Sequence, residues 1–240
     1  KQRAAACNPA SLPADTYCTE FRDNLATTTG GAVHLRGGST LTADAVAFIG
    51  NHADLGGAIF SNSNGDAVDI SNSLFAGNIA DAVSGSVIRL LAAGTLDLES
   101  TTIAGNPATA LSFGTSGATA QIDGTVIWDN TSGVFLNGVV PTGSCNDTQD
   151  GSLAGIQQDP LFTTTARGSY RLSNASPAVD ACKTGPAIDL DNSSRPKDGD
   201  GAASAAEYDM GAFETGELPP EIFSDDFESG NTSEWSSSTP

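Results

Sequence analysis

The 240-residue sequence predicts an all-β protein, a right-handed parallel β-helix of about five coils with an irregular C-terminal cap. Two observations lead to this prediction: an asparagine recurs at intervals of 27, 27, 28 and 24 residues, and short runs of alternating apolar and polar residues precede it. Intervals of this length match one coil of a solenoid. A single coil cannot bury its own apolar residues, whereas stacked coils can.

The recurring asparagine ends a short apolar motif, as in LFAGN, TIAGN and VIWDN. Asparagine tolerates the left-handed backbone of a sharp turn, and its side-chain amide can hydrogen-bond to the same residue in the next coil. We therefore predict a structural asparagine ladder at one corner of the helix and prefer it to a ligand site. Its members are Asn24, Asn51, Asn78, Asn106 and Asn130.

Apolar residues stand ten and eight positions before each later asparagine, separated by a polar one, which is the period-two pattern of a strand. These pairs are Leu41 and Ala43, Val68 and Ile70, Leu96 and Leu98, and Ala120 and Ile122. No segment of helical length keeps an apolar period of 3.6 residues. Each unit therefore offers about two short strands joined by turns of Gly, Asn and Ser, and the coils pair at roughly 4.8 Å.

Charge and hydropathy limit the partners. The chain has 10 Lys and Arg residues against 29 Asp and Glu residues, a formal net charge of −19. Such a chain repels nucleic acid and anionic membranes, so neither is an expected partner. No stretch approaches 18 apolar residues, so no transmembrane helix is predicted. We expect a monomer.

The four cysteines, Cys7, Cys18, Cys145 and Cys182, have no C-x-x-C spacing. An even number, with few Met and few Lys, is typical of an oxidising, extracellular setting. Of the three pairings, we favour Cys7–Cys18 with Cys145–Cys182, because each bond would staple a region that flanks the repeat. Four free thiols in a cytosolic protein are the alternative. The chain starts with Lys and lacks an apolar h-region, so we expect a processed chain or the C-terminal portion of a longer one.

Composition divides the chain into four parts. Residues 1–29 form a disulfide-stapled lead-in with a degenerate first coil, and residues 30–140 form the regular coils. Pro, Gly and Asp become more frequent in residues 141–215, which we assign to the final coil and a cap, because the open end of a solenoid needs a cover. Residues 216–240 are rich in acids and Ser and are expected to be a flexible tail for sorting or anchoring.

The segments DPLFTTTARGSYRLSNASPAVDAC, DLDNSSRP and EYDMGAFE closely resemble the C-terminal part of choice-of-anchor Q domain proteins. These are secreted bacterial right-handed β-helix proteins whose C-termini carry varied surface anchors. The resemblance covers roughly residues 30–215. It implies the architecture, and export to the cell surface or medium of a Gram-negative bacterium, but no settled activity. The residues that carry it are 159–162 and 176–180, with Arg195, Asp209, Gly211, Ala212 and Glu214.

An acidic strip is the first candidate site. Seven positions before the later asparagines stand Asp44, Ser71, Glu99 and Asp123, and nine positions before them stand Thr42, Asp69, Asp97 and Gln121. In a parallel stack these rows would lie side by side, and their hydroxyls and carboxylates could bind a glycan. Calcium could offset the repulsion between like charges one coil apart. A solvated face that keeps the protein soluble is the plainer interpretation.

A partial calcium loop is the second candidate. In PKDGDGAASAAE, residues 196–207, Asp198, Asp200 and Glu207 occupy positions three, five and twelve of the twelve-residue calcium loop. Pro196 stands at position one and removes a principal ligand. A loop rich in Asx turns is the alternative. Calcium is the only cofactor that the sequence suggests.

Catalytic residues are harder to find. Inverting hydrolases on parallel β-helices need a separated acid and base, and lyases need a strong base. The only basic residues in 30–140 are Arg36 and Arg89, at non-equivalent places, and His34 and His52 have no triad arrangement. We therefore predict a non-catalytic module that binds a polysaccharide or another cell-surface molecule, or acts as a spacer. The alternative is a polysaccharide lyase or glycoside hydrolase.

Overall fold

The computed structural model of the protein describes residues 17–135, 137–163, 170–199 and 207–216. These residues form short strands and no helix. The strands are β1 (Glu20–Arg22), β2 (Val33–Leu35), β3 (Thr40–Asp44), β4 (Ala47–Ile49), β5 (His52–Ala53), β6 (Ile59–Ser61), β7 (Ala67–Ser71), β8 (Leu74–Ala76), β9 (Ile79–Ala80), β10 (Ser86–Leu90), β11 (Thr95–Glu99), β12 (Thr102–Ala104), β13 (Thr109–Phe113), β14 (Thr119–Asp123), β15 (Val126–Trp128), β16 (Ser132–Phe135), β17 (Asn146–Thr148) and β18 (Gly155–Ile156).

The strands stack into three parallel sheets that wind around one interior. We call the four-stranded sheet, with the order β3-β7-β11-β14, the acidic sheet. The seven-stranded sheet, β1-β4-β8-β12-β15-β17-β18, is called the capped sheet. The five-stranded sheet, β2-β6-β10-β13-β16, is called the pocket sheet. Strands β5 and β9 pair at one corner. The chain passes through the acidic, capped and pocket sheets in turn, four times in full. This confirms the predicted right-handed parallel β-helix.

The interior holds apolar columns that run along the helix. Phe48 pairs in register with Phe75, and their rings stack with centroids 4.5 Å apart and planes 3° from parallel. In the acidic sheet the alternating positions predicted from the sequence point inward, and Val68, Ile70 and Leu98 are almost fully buried. Burying a side chain of this size stabilises a fold by about 1.5–3 kcal/mol. The thin layers of the core thus hold the coils together.

Residues 170–199 and 207–216, here called the C-terminal segment, lie against the outer side of the capped sheet. Its Leu190, Ala212 and Phe213 form one apolar cluster with Ile49 and Leu74 of the sheet. This arrangement explains why the strands of the capped sheet are apolar at successive positions, since both faces are buried. We expected this segment to cover the open end of the helix. The structure places the buried apolar residues of 170–199 and 207–216 along a side wall, whereas Leu153, before β18, packs against the interior.

One disulfide ties this segment to the helix. Cys145, just before β17, is bonded to Cys182, so this predicted pair is confirmed. The other predicted pair involves Cys7, which lies outside the described residues, as do most of the lead-in and nearly all of the predicted tail. Within the described ranges, no helix is long and apolar enough to cross a membrane.

Candidate functional site

The outer face of the acidic sheet carries polar side chains in register across all four strands. Pairing of the strands places the predicted strip residues Asp44, Asp69, Asp97, Glu99 and Asp123 on one face. The face has three rows, which are Thr40, Ala67, Thr95 and Thr119, then Thr42, Asp69, Asp97 and Gln121, then Asp44, Ser71, Glu99 and Asp123. The result is a flat array of hydroxyl, carboxylate and amide groups.

Two of the three carboxylates in the outer row, those of Asp44 and Asp123, already have donors. Asp44 accepts hydrogen bonds from the Ser71 hydroxyl at 2.9 Å and the Asn72 amide at 2.9 Å. Asp123 accepts one from the Ser144 backbone N–H at 2.8 Å. The carboxylates of Asp69 and Asp97, at the centre, are exposed and accept no hydrogen bond from the described residues. The centre of the face is therefore the part that is open to a ligand.

Because the carboxylates of the acidic sheet repel one another, the centre of this face favours a ligand that is positively charged or that donates hydrogen bonds without a negative charge. Partial burial and the charges of Asp69 and Asp123 raise the pKa of Asp97. The pKa of Glu99 is also raised, first by burial and then by Asp97 and Asp123, while Arg195 acts in the opposite direction. A proton, a cation or a sugar hydroxyl would each relieve this repulsion.

The five predicted asparagines are joined in one ladder. Each Nδ2 donates to the Oδ1 of the asparagine in the next coil, at 2.8 Å from Asn24 to Asn51, 3.0 Å from Asn51 to Asn78, 3.1 Å from Asn78 to Asn106 and 2.8 Å from Asn106 to Asn130. The middle members also donate to backbone carbonyl groups of the preceding coil. The amides of Asn51, Asn78 and Asn106 are buried and hydrogen-bonded on both sides, so the middle of the ladder serves the fold.

The corner turn differs from the expectation in one respect. The left-handed backbone conformation belongs to the residue before each asparagine and not to the asparagine itself, with φ between 52° and 63° at Asp23, Gly50, Gly77, Gly105 and Asp129. Glycine adopts this conformation without strain, and aspartate tolerates it. The asparagine is thereby aimed along the helix axis, where it meets its counterpart in the next coil.

The predicted calcium loop is only partly described. Asp200 lies outside the described residues, and Glu207 forms an ion pair with Lys183. The described part of the chain contains no group of three or more His, Cys, Asp or Glu side chains placed to hold a metal ion. The calcium site at Asp198, Asp200 and Glu207 stays a prediction.

Four of the residues that carry the family resemblance, Asp180, Arg195, Asp209 and Glu214, belong to one hydrogen-bonded network. The Arg195 Nε donates to Glu214 at 2.6 Å, and both side chains are inaccessible to solvent. Other nitrogens of Arg195 donate to Asn72 Oδ1 at 3.2 Å and to the Asp209 carbonyl at 2.7 Å. Asp209 accepts a hydrogen bond from the Asp180 backbone N–H at 2.8 Å. Arg195 therefore fastens the C-terminal segment to the helix.

Sequence reasoning missed a buried carboxyl in the last coil. Asp147, on β17, is fully buried, and one of its oxygens has no hydrogen-bond partner while the other accepts from the Gln158 N–H at 3.2 Å. Burial raises the pKa of Asp147 to about 6, and the charge of Asp159 adds to the effect. Its register partner in the neighbouring strand is Val126. The sequence offered one signal for this residue: Asp147 occupies a position that is apolar in most of the other coils of the capped sheet.

The two histidines lie apart and have separate partners. His34 Nδ1 is 3.1 Å from the Thr29 hydroxyl and its ring meets Phe60 edge-on. His52 Nε2 is 2.6 Å from Asp81 at an exposed corner. Neither arrangement brings a nucleophile, base and orienting acid together.

Comparison of the chain with protein-family models, with curated proteins and with solved structures finds no match. The function is therefore argued from the geometry of the acidic sheet and the chemistry of its side chains.

Proposed function

We propose that this protein is exported, to the surface or medium of a Gram-negative bacterium, and that the acidic sheet is a non-catalytic binding face for a polysaccharide or another surface molecule. One observation carries the proposal. The face presents hydroxyl, carboxylate and amide groups in register over four coils, and its central carboxylates Asp69 and Asp97 have no hydrogen-bond donor among the described residues.

The periodicity of this face suits a polymer. Equivalent side chains repeat at the strand spacing of roughly 4.8 Å, so a chain molecule can make the same contact on several coils. Carboxylates are strong acceptors for sugar hydroxyls. The repulsion that raises the pKa of Asp97 disfavours an acidic polymer unless a cation such as calcium lies between them. A neutral polysaccharide is the preferred partner.

Export and membership of the choice-of-anchor Q family belong to the same proposal. The disulfide between Cys145 and Cys182 is typical of proteins that fold in an oxidising compartment. Three of the residues that resemble the family, Arg195, Asp209 and Glu214, share one buried network, as expected of a motif selected for architecture.

The test is native gel retardation of the folded protein in neutral and acidic polysaccharides, with calcium and then with a chelator. We expect a neutral polymer to retard the wild type, and Asp97→Asn to weaken the retardation. The Asp54→Asn variant removes the same charge at an exposed corner outside the acidic sheet and should behave as the wild type.

Three outcomes would change the proposal. No retardation by any polymer would favour a spacer or a protein-adhesion role. Equal retardation of wild type and Asp97→Asn would remove the acidic sheet as the binding face. Shortening of a retarding polymer during incubation would favour the lyase or hydrolase alternative.

A further inference from the structure

A second polar feature lies on the pocket sheet, away from the acidic sheet. It is a pocket of about 330 Å³ beside the start of β10. Its lining combines a positive side chain, Arg89, with the apolar side chains of Val83 and Phe113, two glycines and small polar residues. The polar residues are Ser84, Thr109, Ser112, Ser132 and Asn137. A ligand in this pocket would bind independently of the function proposed for the acidic sheet, because the two features lie on different sheets.

Arg89 is held in a fixed position on one side of its guanidinium group. Its Nη1 donates to the Ser84 carbonyl at 2.6 Å and to the Ser112 hydroxyl at 3.0 Å. The Ser112 hydroxyl is in turn 2.7 Å from the hydroxyl of Ser86. A guanidinium fixed in this way keeps its Nη2 in place for a ligand at little cost in conformational entropy.

The other side of the guanidinium is unsatisfied. Its Nε is buried without a hydrogen-bond partner, and its Nη2 makes no hydrogen bond with the described residues. No carboxylate of the described part of the chain lies within ion-pair distance of Arg89, whereas Arg22, Arg171 and Arg195 each pair with an acid. Partial burial lowers the pKa of Arg89. In a chain of net charge −19, a half-buried arginine without a counter-charge is unusual and points to a missing anionic partner.

The rest of the lining indicates the kind of ligand. The hydroxyls of Thr109 and Ser132, which are register partners on neighbouring strands, make no hydrogen bond with the described residues. One guanidinium matches one carboxylate, and free hydroxyls match the hydroxyls of a sugar-like molecule. The net charge of the chain disfavours a dianion such as phosphate. The volume lies at the small end of the range for ligand pockets.

We propose that this pocket binds a small hydroxylated monocarboxylate, a sugar acid, whose carboxylate pairs with Nη2 of Arg89 and whose hydroxyls bind Thr109 and Ser132. The carboxylate supplies the counter-charge that Arg89 lacks. No covalent step is involved.

Isothermal titration calorimetry at low ionic strength tests the proposal, with D-glucuronate as the probe. We expect saturable binding of glucuronate, weaker binding of acetate and phosphate, and no binding of glucose, which has hydroxyls but no carboxylate. Arg89→Gln should weaken glucuronate binding about tenfold or more, because the charged partner is lost. Arg36→Gln removes the same charge from an exposed position on the same side of the helix and should leave the affinity unchanged.

Several results would overturn the proposal: no saturable binding of glucuronate by the wild type, equal or tighter binding of glucose or phosphate, or unchanged affinity in Arg89→Gln. If Arg89→Gln fails to fold, Ser132→Trp provides a second variant, because Ser132 is exposed and a large side chain there would occupy the pocket. Unchanged affinity in that variant would equally exclude the pocket.

Discussion

At the scale of single residues, Asp147 shows what burial does to an acid in a largely apolar column. Its register partner Val126 packs against Leu172 and Ala178 of the C-terminal segment, and Asp147 itself is fully buried. One carboxyl oxygen has a donor and the other has none. Its raised pKa of about 6 means that the folded state prefers the protonated form at mildly acidic pH.

This leads to a pH-dependent prediction for Asp147→Asn. Because the folded pKa lies above the ordinary value, the stability linked to Asp147 is fully present at low pH and is lost as the pH rises through about 6. The variant carries no charge to bury, so it should be more stable than the wild type at about pH 8, by about 2 kcal/mol. At about pH 4.5 the gain should be much smaller. Thermal unfolding at both pH values measures it, and an equal effect at both would contradict a titrating Asp147 as its cause.

The residue scale also shows the limits of sequence reasoning. The asparagine ladder was predictable, because one amide at a constant interval matches the hydrogen bonds that a stacked fold needs between its coils. The left-handed residue before each asparagine was not assigned, although Gly50, Gly77 and Gly105 occupy that place. Arg36 and Arg89 were expected at non-equivalent places, and the register agrees, since Arg89 aligns with Phe60 and His34. The missing counter-charge of Arg89 could not be predicted, because it depends on which carboxylates come close in space.

At the scale of elements, the acidic sheet follows the period-two rule and the capped sheet does not. Strand β11 is exposed and buried in strict alternation, so its register and its two faces could be read from the sequence. Strands β4, β8 and β12 are buried at every position. Three successive buried positions indicate a sheet covered on both faces. That pattern was the signal that the C-terminal segment covers a side wall.

The acidic sheet gives a prediction about coupled charges. Asp97 contributes to the raised pKa of Glu99, so Asp97→Asn should lower the pKa of Glu99 toward its ordinary value. The variant should be as stable as the wild type or slightly more so at neutral pH, by less than about 1 kcal/mol, because the face is exposed. An NMR titration of the Glu99 carboxyl carbon measures the shift. Asp54→Asn is the control. An unchanged titration of Glu99 in Asp97→Asn would show that the two charges do not interact.

At the scale of the whole molecule, the C-terminal segment and the helix form one unit, joined by apolar clusters, hydrogen bonds and a disulfide. The disulfide between Cys145 and Cys182 joins them near the last coil. Arg195 joins them further along the helix, through its hydrogen bond to Asn72. The family resemblance predicted that this segment belongs with a β-helix. It did not predict the contacted face, whose trace in the sequence is the loss of polar–apolar alternation in β4, β8 and β12.

The buried pair of Arg195 and Glu214 supports a prediction about how strongly this unit is held. Arg195→Met leaves the Glu214 carboxylate buried without its partner, so we expect a loss of about 3–5 kcal/mol in the free energy of unfolding. Lys183→Met breaks an ion pair whose lysine is exposed and should lose less than about 1 kcal/mol. The double variant Arg195→Met with Glu214→Gln removes the orphaned charge as well, so it should lose less than the sum of the two single changes. Equilibrium denaturation of these three variants and of the single variant Glu214→Gln measures these differences. Strict additivity, or equal losses in Arg195→Met and Lys183→Met, would mean that the segment is held by its apolar contacts with the capped sheet and not by this pair.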